Sequence, residues 1–274
     1  MARYQRGFIT LADLFRAYRK AKVDAFYESS HFHAIAYARY EKSLHSNLKR
    51  LLARLSTGVW VNDLNSLGQC VFVPKSLGVP SRDKGDGVHY ATLDHLQDWE
   101  ASCADSTEEV KANFRQIINP SVDYQIISAL WVMRVGHKLD KAIDPTCSYG
   151  HRLRRSRGEI NLDCSGLFTP YFSAYRDWRA KGLSAMRREL ERGQEILAVT
   201  MDIRQFYHSV VPEFILREAF LDAAGVSLTE DEEAFSRDLL ASIACWYSVL
   251  ASCCLCHASF LAGRNRRDRP LLAC

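Results

Sequence analysis

Apolar residues recur at helical spacing along the first part of the chain. In residues 10–27 they are separated by Arg and Lys, and Thr10 followed by Asp13 is typical of a helix start. A second amphipathic and basic pattern covers residues 33–55. The spacing therefore predicts two helices with one apolar and one basic face each, which form either a packed pair or a clamp for RNA.

Helical spacing returns farther along the chain. Residues 123–139 are strongly apolar, which predicts a mostly buried helix with Trp131 in the core. Residues 183–190 predict a basic helix that ends at Gly193, and residues 212–224 predict a short helix. Thr229 and Glu232 have the spacing of a capping box, which predicts the start of another helix.

Patterns typical of strands are fewer. Residues 59–61 and 70–73 predict two strands around a turn at residues 62–68, and the charged, Gly-rich residues 80–88 predict a loop. Residues 196–202 are mainly aliphatic or β-branched and end in an acid. This pattern predicts a buried strand with Asp202 at its exposed end.

Length and charge narrow the class of protein. The chain has 274 residues and a formal net charge of +4. No apolar run is long enough to cross a membrane, and the N-terminus is too polar for a signal peptide, so we expect a cytoplasmic protein. Basic residues outnumber acidic ones over residues 151–192. That excess suits either a phosphate backbone or a solvated helix face.

The segment around Asp202 carries candidate catalytic chemistry. Nucleotidyl transfer uses carboxylates that hold divalent ions, and a strand end is a rigid support for one. The octet D-I-R-Q-F-Y-H-S at residues 202–209 resembles motif A of reverse transcriptases, especially those of retrons, group II introns and bacterial defence systems. The resemblance implies that Asp202 and the carbonyl of Ile203 bind magnesium, with Asp202 catalytic. It also implies that Phe206 and Tyr207 contact the incoming nucleotide and that Tyr207 excludes a 2′-hydroxyl.

A basic segment, C-S-Y-G-H-R-L-R-R-S-R, occupies residues 147–157. Its S-Y-G-x-R part resembles the fingers of intron and retron-type reverse transcriptases. Gly150 lets a backbone approach closely, and the forked guanidinium of Arg152 suits a triphosphate or a template phosphate. The resemblance implies that four further residues follow the template strand: His151, Arg154, Arg155 and Arg157. The alternative is a basic turn without a ligand.

Residues 168–193 combine aromatic and basic side chains. Rings between cations are able to stack bases while the cations neutralise phosphates. An aromatic stripe on a helix is more often part of a core, however. We therefore assign Phe172 and Tyr175 to packing and expect Arg176, Arg179 and Lys181 to contact nucleic acid.

Together these segments resemble the fingers and the first half of the palm of a reverse transcriptase. The resemblance implies an α+β fold, with a helical N-terminal and fingers region over residues 1–120, fingers and an incomplete palm over residues 121–248, and an atypical tail over residues 249–274. The parent enzyme would be an RNA-directed DNA polymerase that uses Mg²⁺ to add dNTPs to a DNA strand on an RNA template. Members with similar features act in antiphage defence with a non-coding RNA or a companion protein.

Two other functions are open on the sequence. One is a non-catalytic RNA-binding protein on a palm-like scaffold, and the other is a different palm nucleotidyltransferase such as a primase or a nucleotide cyclase. Neither a Gly-Pro-rich motif nor an aromatic-x-D-D turn follows Asp202, so we expect little or no polymerase activity from this chain alone.

The last residues change in character. From Ser248 onward Cys and Arg become common, which fits a frameshifted or truncated product better than a zinc site. Four candidate zinc ligands lie too close together in the chain to surround one ion tetrahedrally: Cys253, Cys254, Cys256 and His257. Cys274 would be the more distant alternative ligand.

Overall fold

The computed structural model describes residues 3–27, 31–77, 112–199, 201 and 211–244. They divide into two compact units, one from the described parts of Met1–Leu67 and Ser121–Cys274 and the other from those of Gly68–Pro120. This division differs from the predicted boundary at residue 120. The N-terminal helices and the helices after residue 120 belong to one unit, because they share a core.

The first unit is mostly helical in its described part. Its α-helices are α1 (Leu11–Tyr27), α2 (His31–Glu41), α3 (Leu44–Thr57), α4 (Leu64–Leu67), α5 (Val122–Trp131), α6 (His137–Ala142), α7 (Tyr171–Glu191), α8 (Glu218–Ala224) and α9 (residues 230–244). A π-helical turn, Val132–Gly136, joins α5 to α6, and a 3-10 turn, Pro212–Leu216, precedes α8. Strands β3 (Arg155–Ser156) and β4 (Glu159–Ile160) form a short antiparallel hairpin. Among the described helices, none combines the length and apolar character that a membrane span requires.

Helix α1 begins where the sequence predicts. The backbone N–H and the hydroxyl of Thr10 both donate to the carboxylate of Asp13, at 3.0 and 2.7 Å, and the N–H of Asp13 donates back to the hydroxyl at 3.2 Å. This reciprocal pair satisfies N–H groups that have no partner inside the helix. The second predicted helix is interrupted: residues 42–43 form a turn between α2 and α3. The predicted helix over residues 123–139 is present but contains the π-helical turn.

The core of the first unit lies around α1, which packs against α2, α3 and α5. Leu14 and Ala17 of α1 are fully buried, as are Leu51 of α3 and Ile126 and Leu130 of α5. Burying each large aliphatic side chain contributes about 1.5–3 kcal/mol relative to leaving it exposed. The apolar faces predicted by periodicity therefore do form a common core.

Helix α9 is attached to this core by hydrogen bonds. The hydroxyl of Tyr124 lies 2.9 Å from that of Ser242, and the indole N–H of Trp131 donates to the hydroxyl of Ser236 at 2.9 Å. The sequence predicted Trp131 in the core, and the structure places it partly exposed at the edge of the core. The buried hydroxyl of Ser236 gives the indole N–H its polar partner there.

The start of α9 agrees with the sequence. The N–H of Thr229 donates to the Glu232 carboxylate at 2.8 Å, and the N–H of Glu232 donates to the Thr229 hydroxyl at 3.3 Å. Glu232 also accepts from the ammonium of Lys138 in α6 at 2.7 Å. Burial acts to raise the pKa of Glu232, but these hydrogen bonds outweigh it and lower the pKa.

The second unit contains one antiparallel pair, β1 (Gln69–Leu77) and β2 (Ala112–Asn119). Gln69 pairs with Asn119 and Leu77 with Ala112, with an irregularity between Pro74 and Ser76. Proline has no N–H for a ladder hydrogen bond, which accounts for an irregularity there. The prediction of a strand at residues 70–73 is thus confirmed. The predicted loop at residues 80–88 lies outside the described residues.

The strand predicted at residues 59–61 is wrong. Residues 58–62 form a turn at the end of α3, and Trp60 in this turn is buried at 1% exposure. A β-branched and aromatic triplet favours a strand only when a second strand is available to pair with it. Here the aromatic ring packs into the helical core instead, 6.2 Å from the ring of Phe235.

Candidate nucleic-acid interface

The S-Y-G-H-R segment is held by a buried carboxylate that the sequence did not identify. Asp140 at the end of α6 accepts from Nε of Arg152 at 2.9 Å, from Nη2 of Arg155 at 2.7 Å and from the N–H of Leu153 at 3.3 Å. Asp140 is 8% exposed. One carboxylate therefore anchors both arginines and the backbone between them.

Arg152 uses its other donors on the main chain. Its Nη2 donates to the carbonyl oxygens of Asp140 and Ile143 at 2.9 and 3.1 Å, and its Nη1 to that of Ser148 at 3.4 Å. The predicted grip on a phosphate requires these same N–H groups. In this conformation Arg152 instead fixes the shape of the segment from residue 143 to residue 152.

The other arginines that were predicted to contact the template differ in their surroundings. Arg154 donates from Nε to the carbonyl of Phe168 at 2.9 Å, and Arg155 is bound to Asp140. Arg157 lies at the tip of the β3–β4 hairpin, where it and Gly158 have φ values of +52° and +85°. Two consecutive positive φ values are typical of a tight hairpin turn. Arg157 is exposed there, and no described residue forms an ion pair with it.

Residues 147–151 lie opposite the first turns of α7 and form a groove of about 470 Å³ with them. We call it the aromatic groove; its other lining residues are Tyr171, Ala174, Tyr175 and Trp178. The rings of Tyr175 and Trp178 lie 5.7 Å apart. On the opposite wall the ring of His151 meets that of Phe168 edge-on at 6.0 Å. The groove thus unites two segments that the sequence singled out separately.

Cations accompany these rings. The ammonium of Lys181 lies 4.9 Å from the centroid of the Tyr149 ring, across the groove from its own helix. Arg176 and Arg179 are exposed on α7; the nearest described carboxylate to Arg176 is that of Asp177, at 3.9 Å, and no described acid pairs with Arg179. Exposed rings next to exposed guanidinium groups suit nucleobases and phosphates.

Helix α7 has no buried residue along its 21 residues. Phe172 and Tyr175 are 59% and 58% exposed, so the prediction that they pack in a core is wrong. Helical periodicity shows which side chains share a face, but it does not show what covers that face. The helix ends at Glu191, and Gly193 follows as the predicted terminating glycine, with a φ of +74°. The N–H of Gln194 donates to the carbonyl of Glu189 at 3.0 Å.

A second buried charge holds the loop between β4 and α7. Lys20 of α1 is 1% exposed, and its ammonium donates to the carbonyl oxygens of Asn161, Cys164 and Gly166 at 2.9, 3.0 and 3.1 Å. Burial lowers the pKa of Lys20, and the nearby Cys164 and Asp24 partly oppose this. In the sequence Lys20 looks like one of several surface lysines, so only the structure reveals its role.

The loop after β4 also meets α1 through Gly166. The carboxylate of Asp24 accepts from the N–H of Leu167 at 2.9 Å. Gly166 has a φ of +75°, and a Cβ there would lie 2.9 Å from Oδ1 of Asp24. Glycine is therefore needed at this position, both for the left-handed backbone and for the close approach.

The motif A prediction falls mostly outside the described residues, which do not include Asp202, Ile203, Phe206 and Tyr207. The predicted strand leading to them is wrong over residues 196–199, which have no regular secondary structure. Leu197 and Val199 are 88% and 68% exposed. A buried strand needs a neighbouring strand for its N–H and C=O groups, and the described strands pair only with one another.

The predicted metal sites also lie outside the described residues. No group of three or more His, Cys, Asp or Glu within the described part of the chain could hold a metal ion. The magnesium ligands predicted at Asp202 and Ile203 lie beyond that part, as do the tail and its candidate zinc ligands. A two-metal site would need further carboxylates, and the sequence after Asp202 contains no adjacent Asp pair.

Comparison of this chain with protein-family models, curated proteins and solved structures found no match. The comparisons thus add no support to the resemblance to reverse transcriptases, and function has to be inferred from the residues themselves.

Proposed function

We propose that this chain comprises the fingers and part of the α+β palm of an RNA-directed DNA polymerase, and that its described residues bind single-stranded RNA. The observation that supports RNA binding is the aromatic groove. Its exposed rings present flat faces to bases, and Lys181, Arg176 and Arg179 lie on the same helix to neutralise phosphates. The reverse-transcriptase assignment depends on the D-I-R-Q-F-Y-H-S and S-Y-G-H-R segments.

In this proposal the residues have separate roles. Tyr175 and Trp178 stack unpaired bases. The hydrogen bond from Arg152 to Asp140 holds the S-Y-G-H-R segment, which forms one wall of the groove, in place. Asp202 would hold magnesium in the parent enzyme, where the metal would activate the attacking 3′-oxygen of the primer and stabilise the charge on the phosphate. The partners would be an RNA template, a DNA product and dNTPs, with antiphage defence as the biological setting.

A binding experiment tests the groove. An unstructured, fluorescently labelled RNA of about ten nucleotides would be titrated with the chain, and anisotropy recorded. The double variant Tyr175→Ala/Trp178→Ala should bind at least about tenfold more weakly, because stacking contributes about 1–3 kcal/mol per base. Leu183→Ala/Leu190→Ala is the matched control, since both leucines are exposed on the same helix outside the groove. Equal affinity of all three proteins would exclude the groove as the RNA site.

The second candidate is a non-catalytic RNA-binding protein. It is favoured by Arg152, whose donors are occupied by Asp140 and by carbonyl oxygens. Primer extension on an RNA template with dNTPs and Mg²⁺, comparing the chain with Asp202→Asn, tests whether this chain is itself catalytic. We expect no extension by either protein and unchanged RNA affinity in Asp202→Asn. Extension that Asp202→Asn abolishes would show that this chain is itself a polymerase.

A further inference from the structure

The exposed faces of α1 and α3 carry cations with few acids among them. Arg16 and Arg19 are exposed on α1, and His45 and Lys49 are exposed on α3. Lys42 is exposed in the turn before α3. We call Arg16, Arg19, Lys42, His45 and Lys49 the basic strip. It lies outside the aromatic groove, because none of its residues lines that groove.

A ring contact brings the two helices together at the strip. The ring of Phe15 in α1 stacks on that of His45 in α3, with centroids 6.2 Å apart and planes at 24°. Residues three or four apart share a helix face, so Arg19 lies beside Phe15 and Lys49 beside His45. Arg19, Phe15, His45 and Lys49 therefore form one surface that spans both helices.

Acidic residues do not neutralise this surface. Helix α3 contains no Asp or Glu, and the two acids of α1 are engaged inside the unit. Asp13 is 8% exposed and accepts from Arg134 at 2.6 Å, whereas Asp24 accepts from the N–H of Leu167. Arg16 lies 3.8 Å from the carboxylate of Asp13, and no described acid pairs with Arg19 or Lys49.

Three other basic residues of these helices are already used. Lys20 is buried among carbonyl oxygens, Lys22 pairs with Glu41 at 2.5 Å and Arg54 pairs with Asp123 at 3.1 Å. Arg50 is also exposed on α3, so the strip residues and Arg50 are the basic residues of these helices and of the turn before α3 that lie outside those contacts. Among them only Arg16 has a described ion pair, with Asp13. Clustered cations of this kind gain most from a polyanion, which releases condensed counterions when they bind it.

We propose that the basic strip binds the phosphate backbone of double-helical RNA. Phe15 and His45 stack on each other, so the faces that the two rings turn toward each other are not available to unpaired bases, whereas the cations of the strip are available to a backbone. The choice of RNA as the polyanion rests on the proposed function, but the site is separate from the groove. The strip would hold a paired region of an RNA, and the groove an unpaired region.

The experiment measures binding of a paired RNA duplex of about 16 base pairs at several salt concentrations. Arg19→Gln/Lys49→Gln should bind at least about tenfold more weakly at 0.1 M salt. Its plot of log affinity against log salt should be shallower by about 2, because each lost phosphate contact changes the slope by about 0.9. Arg188→Gln/Arg237→Gln removes the same charge from α7 and α9 and should match the unaltered chain. Circular dichroism confirms that each variant is folded.

The outcomes separate this inference from the proposed function. Both proposals are supported if the two double variants have opposite defects. Tyr175→Ala/Trp178→Ala should then lose affinity for single-stranded RNA only, and Arg19→Gln/Lys49→Gln should lose affinity for duplex RNA only. A normal duplex affinity and a normal salt slope in the strip variant would contradict the proposed role of the basic strip. So would binding to vesicles of anionic phospholipid without binding to duplex RNA. If the groove variant is unaffected while the strip variant loses the duplex, only the proposed function of the groove fails.

Discussion

The carboxylate of Asp140 accepts a 2.9 Å hydrogen bond from Nε of Arg152, the arginine of the S-Y-G-H-R segment. The same carboxylate binds Arg155, so one buried acid sets the position of two basic residues and of one wall of the aromatic groove. An arginine that a motif assigns to a ligand is here part of the scaffold. RNA binding would then depend on Asp140 indirectly, through the shape of the groove.

Replacing Asp140 should affect stability and RNA binding together. In Asp140→Asn two guanidinium groups lose their counter-charge in a largely buried site, and we expect the free energy of unfolding to fall by about 3 kcal/mol. Arg152→Lys keeps the charge but loses the bonds to the carbonyls of Asp140 and Ile143, so its loss should be smaller. Denaturant unfolding measures both.

The control is Asp163→Asn, because Asp163 is an exposed acid in the loop after β4. It should change the free energy of unfolding by no more than about 0.5 kcal/mol. Single-stranded RNA affinity, measured where each protein is folded, should fall in Asp140→Asn and remain normal in Asp163→Asn. A normal stability of Asp140→Asn would contradict the proposed anchoring role.

Lys20 should be among the most sensitive positions of α1. Lys20→Met keeps the length of the side chain but removes three hydrogen bonds, leaving the carbonyls of Asn161, Cys164 and Gly166 without their donor. We expect a loss of about 2–4 kcal/mol, since each unsatisfied buried group costs about 1–3 kcal/mol. Thermal or denaturant unfolding measures the loss.

Lys22→Met is the matched comparison on the same helix. Lys22 is 45% exposed in its side chain and forms a surface pair with Glu41. Exposed pairs contribute about 0–1 kcal/mol, so this variant should unfold almost like the unaltered chain. Similar losses in the two lysine variants would argue against a special role for the buried ammonium.

Stability should fall as the pH drops below about 6.5, partly because of His137. Burial lowers the pKa of His137 below its ordinary value of 6.5, and the nearby Lys138 and Arg155 act in the same direction. The unfolded chain therefore takes up this proton first as the pH falls. The stabilising contribution is complete above pH 6.5 and is lost as the pH falls through the lower pKa of the folded state.

His137→Gln removes the imidazole that takes up this proton. The free energy of unfolding of the variant should therefore vary less between pH 6.5 and 5 than that of the unaltered chain. Urea unfolding at half-unit steps of pH provides the comparison. An unchanged slope in His137→Gln would assign the acid sensitivity to other groups, among them the hydrogen-bonded Glu232.

Some features were predictable from the sequence because they depend on neighbours within one helical turn. The Thr10–Asp13 and Thr229–Glu232 caps form between residues three apart, and both are present. The apolar faces of α1 and α5, the helical state of α7 and its terminating glycine, Gly193, follow from periodicity and local backbone preference in the same way.

Only the tertiary structure decided which groups these side chains contact. Lys20 meets carbonyl oxygens more than 140 positions away, and Asp140 selects two arginines that look free in the sequence. The aromatic face of α7 is exposed and the aliphatic residues 196–199 form no strand, because burial and strand pairing both require a surface from elsewhere in the fold. Local pattern determines the form of a segment, whereas long-range packing determines what its side chains bind.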